Sequence, residues 1–268
     1  MSGIVNASSG WRAVDDDAAE VAGYLETVTR LLAVFKRKSV DMLRLSTGAS
    51  VLDVGCGLGH DAEAILAETG GRVVGIDASQ ELITKAINRT QGLTRRPEFY
   101  VGDALALEFN DNLFDVCRID RVLQHLKAPA QAVAEMVRVT RPQGRVSAFD
   151  TDWHTLSIAG GDIAVAQAVT RQRAFVASSQ GDIGRRLVQL LTDAGCEDVE
   201  VEVVVVLLRD FGTANFTLHI RSTLEAAITD GAITRDAGEQ WWEAVQELDA
   251  RGQFFASVNN VICVATVR

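Results

Sequence analysis

Val51-Leu52-Asp53-Val54-Gly55-Cys56-Gly57-Leu58-Gly59-His60 is a short apolar run that ends in three glycines at alternate positions. Val51 to Val54 reads as a strand entering a tight turn, and His60 to Glu68 reads as a helix closed by Gly70-Gly71. Glycine lets the backbone turn sharply and lets a ligand approach it closely. The helix start presents unpaired N–H groups. Strand, glycine turn and helix start together make a cradle for a cofactor. The dinucleotide fingerprint G-x-G-x-x-G/A fits only in part. Gly55 and Gly57 match it, but His60 stands where a tiny residue is needed for close helix–strand packing.

Working outward, the same alternation repeats. Arg72 to Asp77 is a second strand, and Ser79 is an N-cap for a helix through Arg89. Glu98 to Val101 is a third strand, Phe114 to Ile119 a fourth and Arg145 to Phe149 a fifth; Pro129 opens a helix through Val139 between the last two. Strand and helix in alternation predict a parallel sheet with right-handed crossovers. On the N-terminal side, residues 1–16 are polar and Gly/Ser-rich and are expected to fray. Val21, Tyr24, Val28, Leu31 and Phe35 then give one apolar face to a helix from Asp17 to Leu45. Beyond Asp150 the pattern loosens. Helices are expected over 162–177, 182–193 and 211–256, with β-rich runs at Val199–Leu208 and Val258–Val267.

Four segments in this order resemble the class I S-adenosylmethionine (SAM)-dependent methyltransferases. Asp53, Gly55, Gly57 and Gly59 match their D-x-G-x-G-x-G motif. Val73 to Asp77 resembles their second strand, with an acid 24 residues after Asp53. Val101-Gly102-Asp103-Ala104 resembles their third-strand motif. Phe114 to Ile119 resembles their fourth strand, and Val139 to Val146 their L-x-P-G-G turn, with Gln143 in place of a glycine. The resemblance covers residues 35–150 well and the rest loosely. It implies a doubly wound, seven-stranded, mostly parallel α/β sheet with helical lid insertions, the two C-terminal β runs being antiparallel sixth and seventh strands. It implies one domain over 1–268. Within it lie a helical cap over 17–45, a SAM-binding core over 46–150, and substrate lids over 151–181 and 210–257. The implied cofactor residues are Asp53, Gly55, Gly57 and Gly59, Asp77 and Ala78 at the ribose, and Asp103 and Ala104 at adenine. An acid at the end of the second strand suits a ribose diol at the crevice of a doubly wound sheet.

Composition narrows the substrate. The net charge is −10 and the pI about 4.9, whereas a nucleic-acid binder normally carries a basic stripe. Lys36-Arg37-Lys38 and Arg95-Arg96 read as solvated faces. Asp120-Arg121-Val122-Leu123 lacks the proline and aromatic of the motif with which DNA and RNA amino-methyltransferases grip a flipped base. The four scattered cysteines argue against a disulfide framework, a zinc site and arsenic methylation, and suit reduced thiols in a cytoplasm. No metal site and no membrane span are expected; the longest apolar run, Val203 to Leu208, is far too short. Trp241, Trp242, Phe254 and Phe255 in the lid region favour an apolar or aromatic small molecule. The chain is similar to bacterial small-molecule methyltransferases of secondary metabolism and quinone pathways. Oligomeric state stays open, a homodimer being one option.

Transfer to an O–H acceptor requires proton removal, and His titrates nearest to neutrality. His60, His125, His154 and His219 are the four candidates. His125 stands out because the post-fourth-strand segment lies beside the transferred methyl in the family; Asp120 heads that segment and would either accept from the cofactor's amino group or orient His125. The expected reaction is methylation of an oxygen or carbon of a small acceptor. The alternatives are a SAM-binding enzyme of the same fold with another reaction, such as cyclisation, an NAD-dependent oxidoreductase, and a non-catalytic binding module. The oxidoreductase is disfavoured by His60 and by the missing Tyr-x-x-x-Lys pair.

Overall fold

A computed structural model describes residues 18–176 and 180–268. The tail over 1–16 and the Val21 side chain lie outside the described residues. The chain runs α1 (Ala18–Leu31), α2 (Ala33–Met42), β1 (Val51–Val54), α3 (His60–Thr69), β2 (Val73–Asp77), α4 (Gln80–Thr90), β3 (Glu98–Val101) and β4 (Phe114–Asp120). A 3-10 turn at Leu123–His125 follows, then α5 (Pro129–Val139), β5 (Thr140–Ile158), α6 (Ile163–Val176), α7 (Ile183–Asp193) and β6 (Cys196–Leu208). Last come α8 (Phe211–Leu218), α9 (Ile220–Thr229), α10 (Arg235–Ala250) and β7 (Ala256–Val267).

The caps follow the sequence. Ser79 Oγ accepts the Leu82 N–H at 3.2 Å, Pro129 opens α5, and Gly70 closes α3 in a left-handed conformation. The expected single N-terminal helix bends at Leu32. The bonds from Leu32 N–H to Val28 and from Lys36 N–H to Leu32 persist at 2.9 and 2.8 Å, so the joint is a kink and not a break.

The seven strands are ordered β3-β2-β1-β4-β5-β7-β6. β1 lies between β2 and β4, all parallel, and its four residues are buried on both faces. The order reverses between β1 and β4, which opens the crevice where doubly wound sheets bind ligands. Only β7 runs against the rest. It is antiparallel to both β5 and β6, so β6 points the same way as β5. The expectation of two antiparallel C-terminal strands is corrected here; hydropathy alone does not encode strand direction.

β5 continues past Phe149 to Ile158, and its register with β7 shifts between Asp152 and Ser157. Trp153 sits in that irregularity. Gln143, at φ 61°, adopts the left-handed backbone that a glycine would take more easily. Helices cover both faces: α3, α4, α6, α8, α9 and α10 share one core, while α5 and α7 pack on the other.

Candidate active site

One cavity of about 870 Å³ opens at the C-terminal edge of the parallel strands. That is toward the upper end of the ~300–1,000 Å³ usual for small-molecule sites. Its wall contains Asp53, Gly55, Gly57, Asp77, Ala78, Asp103, Ala104, Asp120 and His125. Nine of the ten singled-out residues therefore meet in one place. Gly59 is the exception. It does not line the cavity, and a Cβ on it would come within 2.4 Å of Phe99, so its smallness serves helix–strand packing. Gly55 allows close approach of a different kind, because a Cβ there would meet Val122 at 2.2 Å. At Gly57 the space is open: the nearest atom to an added Cβ is Leu25 Cδ1 at 3.7 Å, and both residues line the cavity.

The Asp77 carboxylate braces the turn. One oxygen accepts the Gly57 N–H and the other the Ser79 N–H, each at 2.9 Å. Burial pushes its pKa up, and these two N–H donors oppose that. Each oxygen keeps a lone pair for a further donor. Asp103 accepts the Leu105 N–H at 2.9 Å, which fixes its carboxylate at the end of β3.

Beneath these residues lies an ion network that the sequence reading did not anticipate. Arg118, on β4 and 1% exposed, donates to Asp53 at 2.8 Å, Asp61 at 3.2 Å and Asp120 at 2.9 Å. Lys36 reaches in from α2 to Asp61 at 2.6 Å and Asp120 at 2.8 Å. Three carboxylates therefore face two cations. Burial pushes Asp53 up to about 6 despite the pull of Arg118. Although its own burial works the other way, Lys36 and Arg118 hold Asp61 well below the usual carboxylate range. Lys36 is thus no solvated face residue; Arg37 and Lys38 beside it are. A charged residue inside an apolar strand, as in Val116-Cys117-Arg118-Ile119, is the one sequence signal by which the network could have been found.

Asp120 Oδ1 is buried and has no hydrogen-bond partner, with Arg121 Nε 3.6 Å away. A buried carboxylate oxygen that accepts no hydrogen bond suits a ligand ammonium. Its partners are Lys36 and Arg118, which fits the cofactor role weighed for it better than the orientation of His125. The segment after β4 forms no α-helix. It is a single 3-10 turn, preceded by Arg121 in the left-handed region at φ 55°. Asp150 anchors it: its carboxylate accepts the Gln124 N–H at 3.1 Å.

His125 lines the cavity with its pKa pushed down to about 3, first by burial and then by the positive charges of Arg121 and Arg173. His60 also lines it, lowered by burial and Arg89. His219 lines it and stacks on Tyr24 with ring centroids 5.5 Å apart. His154 does not. It follows Trp153 on the strand, faces the other way and meets Phe175 edge-on at 6.1 Å. The aromatic lining differs from expectation too. Trp241 and Phe254 are core residues, and Phe211 packs edge-on against Trp242 and Phe254 at 4.9 and 5.4 Å. The rings that face the cavity are those of Tyr24, Trp153 and Phe216.

Comparison with known proteins matches residues 52–148 to a methyltransferase domain family. A 37.1 kDa protein of transposon TN4556 from Streptomyces fradiae is 36% identical over 260 residues, covering 95% of this chain and 73% of that protein. Methyltransferase GfsG from Streptomyces halstedii is 36% identical over 112 residues, covering 41% of this chain. The chain spans only 40% of the length of GfsG. Among solved structures, the [4+2]-cyclase SpnF superposes with a TM-score of 0.54 at 23% identity, covering 97% of this chain and 86% of its own. That likeness concerns the fold. No helix among the described residues is long and apolar enough to cross a membrane.

Proposed function

The chain belongs to the class I SAM-dependent methyltransferase family, and from that premise we propose that it methylates an oxygen or carbon of a small organic acceptor. The observation that carries this reading is the single cavity. It joins the Gly55–Gly57 turn and the strand-end acids to a wall of Tyr24, Trp153 and His125. Its residues fit the cofactor: Asp77 with Ala78 for the ribose diol, Asp103 with Ala104 for adenine, and the orphaned Asp120 oxygen for the ammonium. Asp53, already held by Arg118, sets the charge beneath. When bound, SAM supplies an electrophilic methyl group and leaves as S-adenosylhomocysteine (SAH).

The remaining chemistry falls to the chain. Alignment of the acceptor against the methyl group contributes most where the reacting atoms are held close. His125 is neutral across the physiological range and can accept a proton from an acceptor hydroxyl. A base held near 3 is weaker than the ideal near operating pH. His125 therefore acts best on an acceptor whose proton is already acidic. His60 and His219 are the other two imidazoles on the wall. Three aromatic rings in the cavity wall favour an acceptor with an apolar or aromatic body, and a bacterial biosynthetic pathway in the cytoplasm is the setting that suits it.

The test is SAH formation during turnover on a panel of hydroxylated aromatic and enolic acceptors. Methylated product with one SAH per methyl supports the proposal. Acceptor conversion with SAM unconsumed refutes it and favours a cyclase-type reaction.

A further inference from the structure

The cavity holds one guanidinium that the fold itself does not use. Arg173, on α6, is 7% exposed and lines the cavity. Among the described residues it has no carboxylate partner, and its Nε meets no hydrogen-bond acceptor. Arg118 shows how this chain treats a buried arginine otherwise, with three carboxylates around it. A buried charge without a partner is costly and is kept where something else satisfies it. Burial pushes Arg173 down to about 10, so it stays cationic near neutrality.

The surroundings say what it is shaped to meet. Its Cζ lies 4.4 Å from the centroid of the Trp153 ring, and the Trp153 indole N–H donates to Gln124 Oε1 at 2.7 Å. The guanidinium lies over the indole ring, and its Nε–H, which meets no acceptor, belongs with an Nη–H to a planar donor fork. That fork matches a planar oxyanion. Arg173 also lies close enough to His125 to depress its pKa. An anion on Arg173 would therefore sit beside the proposed base.

We propose that the acceptor is an organic anion, anchored by a carboxylate or similar acidic oxyanion on the Nε–Nη edge of Arg173, with its apolar body against Trp153 and Tyr24. The inference rests on the methyltransferase reading only in taking the bound anion to be the acceptor. The competing ligand for Arg173 is the cofactor's own carboxylate. Arg121 is the nearer partner for that group, because its unpaired Nε stands 3.6 Å from the Asp120 oxygen that suits the cofactor's ammonium. Arg173 comes from a different element and stacks on a different wall.

The experiment titrates the full chain, saturated with SAH, with benzoate, phenyl phosphate and benzyl alcohol by saturation-transfer NMR. The same titrations are made on R173M and R173Q, with melting curves to establish that each variant is folded. At least one anion should bind about tenfold or more tightly than benzyl alcohol, the scale of one charge-assisted pair. Both variants should lose that preference while their SAH affinity, by calorimetry, stays within about threefold of wild type, far less than the loss of such a pair. Benzoate alone identifies a carboxylate site, and phenyl phosphate alone a phosphate site. No preference for either anion overturns the proposal, as does a preference that survives in the folded variants. SAH affinity lost with Arg173 also overturns it, by assigning the residue to the cofactor. Wild-type protein that binds no SAH refutes the methyltransferase reading instead, and the SAH-free titrations then decide the anion site on their own.

Discussion

At one end of the cavity three carboxylates face two cations, and one carboxylate oxygen is left over. At the other end Arg121 and Arg173 flank a neutral His125, and two guanidinium nitrogens are left over. Three of the five orphaned buried side-chain atoms among the described residues are these. The two ends thus err in opposite directions, and each error matches a ligand charge: an ammonium at the first, an acid group at the second. Away from the cavity, the buried Asp152 carboxylate has its cation, with Arg185 2.7 Å away. The contrast separates charge that holds the fold from charge that waits for a ligand, and mutation should separate them in the same way.

The largest effect should come from the matched side of the acidic end. Arg118→Met leaves Asp53, Asp61 and Asp120 with only Lys36. Removing one partner of a buried ion group typically costs about 3–5 kcal/mol. The urea midpoint should fall accordingly. A loss below about 1 kcal/mol, the scale of a surface pair, would mean that the network is not structural and would remove the basis of the contrast.

His125 sharpens the other end. General-base assistance is worth roughly 10²–10⁴-fold in rate, and a weak base belongs at the lower limit. His125→Ala should cut turnover by about 10², or about 2.7 kcal/mol at 1.36 kcal/mol per tenfold. The pH dependence has a definite sign. With the native pKa at about 3 and the unfolded value near 6.5, the unfolded chain binds the extra proton between these limits. Stability therefore rises with pH across that window and falls on acidification. His125→Gln should flatten that part of the stability curve. In kcat/KM, which reports the free enzyme, any inflection between pH 5 and 8 should be the same with and without His125. An inflection near 6.5 that vanishes in the variant would show an ordinary, solvated histidine.

Asp77→Ala should act at the acidic end, where it releases the Gly57 and Ser79 N–H groups and weakens the hold on the ligand. Hydrogen bonds to a charged group are worth about 1.5–3 kcal/mol, so calorimetry should find SAH held about 10–100-fold more weakly. Substitutions at Arg173 should leave that affinity in place. Unchanged SAH binding in Asp77→Ala would detach Asp77 from the ribose and make it a brace for Gly57 and Ser79 only.

The reach of the sequence divides along the same line. The acidic end was legible because its residues sit at strand ends, where one short motif fixes both backbone and side chain. Asp53, Asp77 and Asp103 stand at or near the ends of β1, β2 and β3. Gly59 stands off the cavity wall, and sequence cannot separate it from Gly55 and Gly57 because packing and ligand approach demand the same small residue. The basic end was not legible. Arg173 lies in a helix whose sequence, Ile163 to Val176, offers two arginines and no motif. Only the irregular stretch of β5 at Trp153 and the folding of α6 across the sheet bring it to the cavity. Lys36 was hidden for a related reason: the kink at Leu32 turns α2 so that one lysine of a basic run faces inward. The direction of β6 and the burial of Trp241 likewise depend on partners far away in sequence.

The smallest expected effect is also the one with an unusual sign. Most substitutions of a buried residue destabilise. Arg173→Met should not. The thioether side chain is of similar length and fills the space along Trp153, so no large cavity forms. What is lost is the stacking of a cation on an indole, on the order of 0.5–2 kcal/mol. What is relieved is the burial of a guanidinium with an unsatisfied Nε, on the order of 1–3 kcal/mol for the unpaired group alone. The midpoints of the two ranges leave a gain of about 0.5–1 kcal/mol, well within reach of a urea titration. The gain should appear in the ligand-free protein and shrink when wild type is saturated with an anion that pairs the guanidinium, because only the wild type is then stabilised by binding. A loss above about 1 kcal/mol in the free protein would show that Arg173 is a structural residue with its charge already satisfied. The symmetry between the two ends of the cavity would then fail at the basic end.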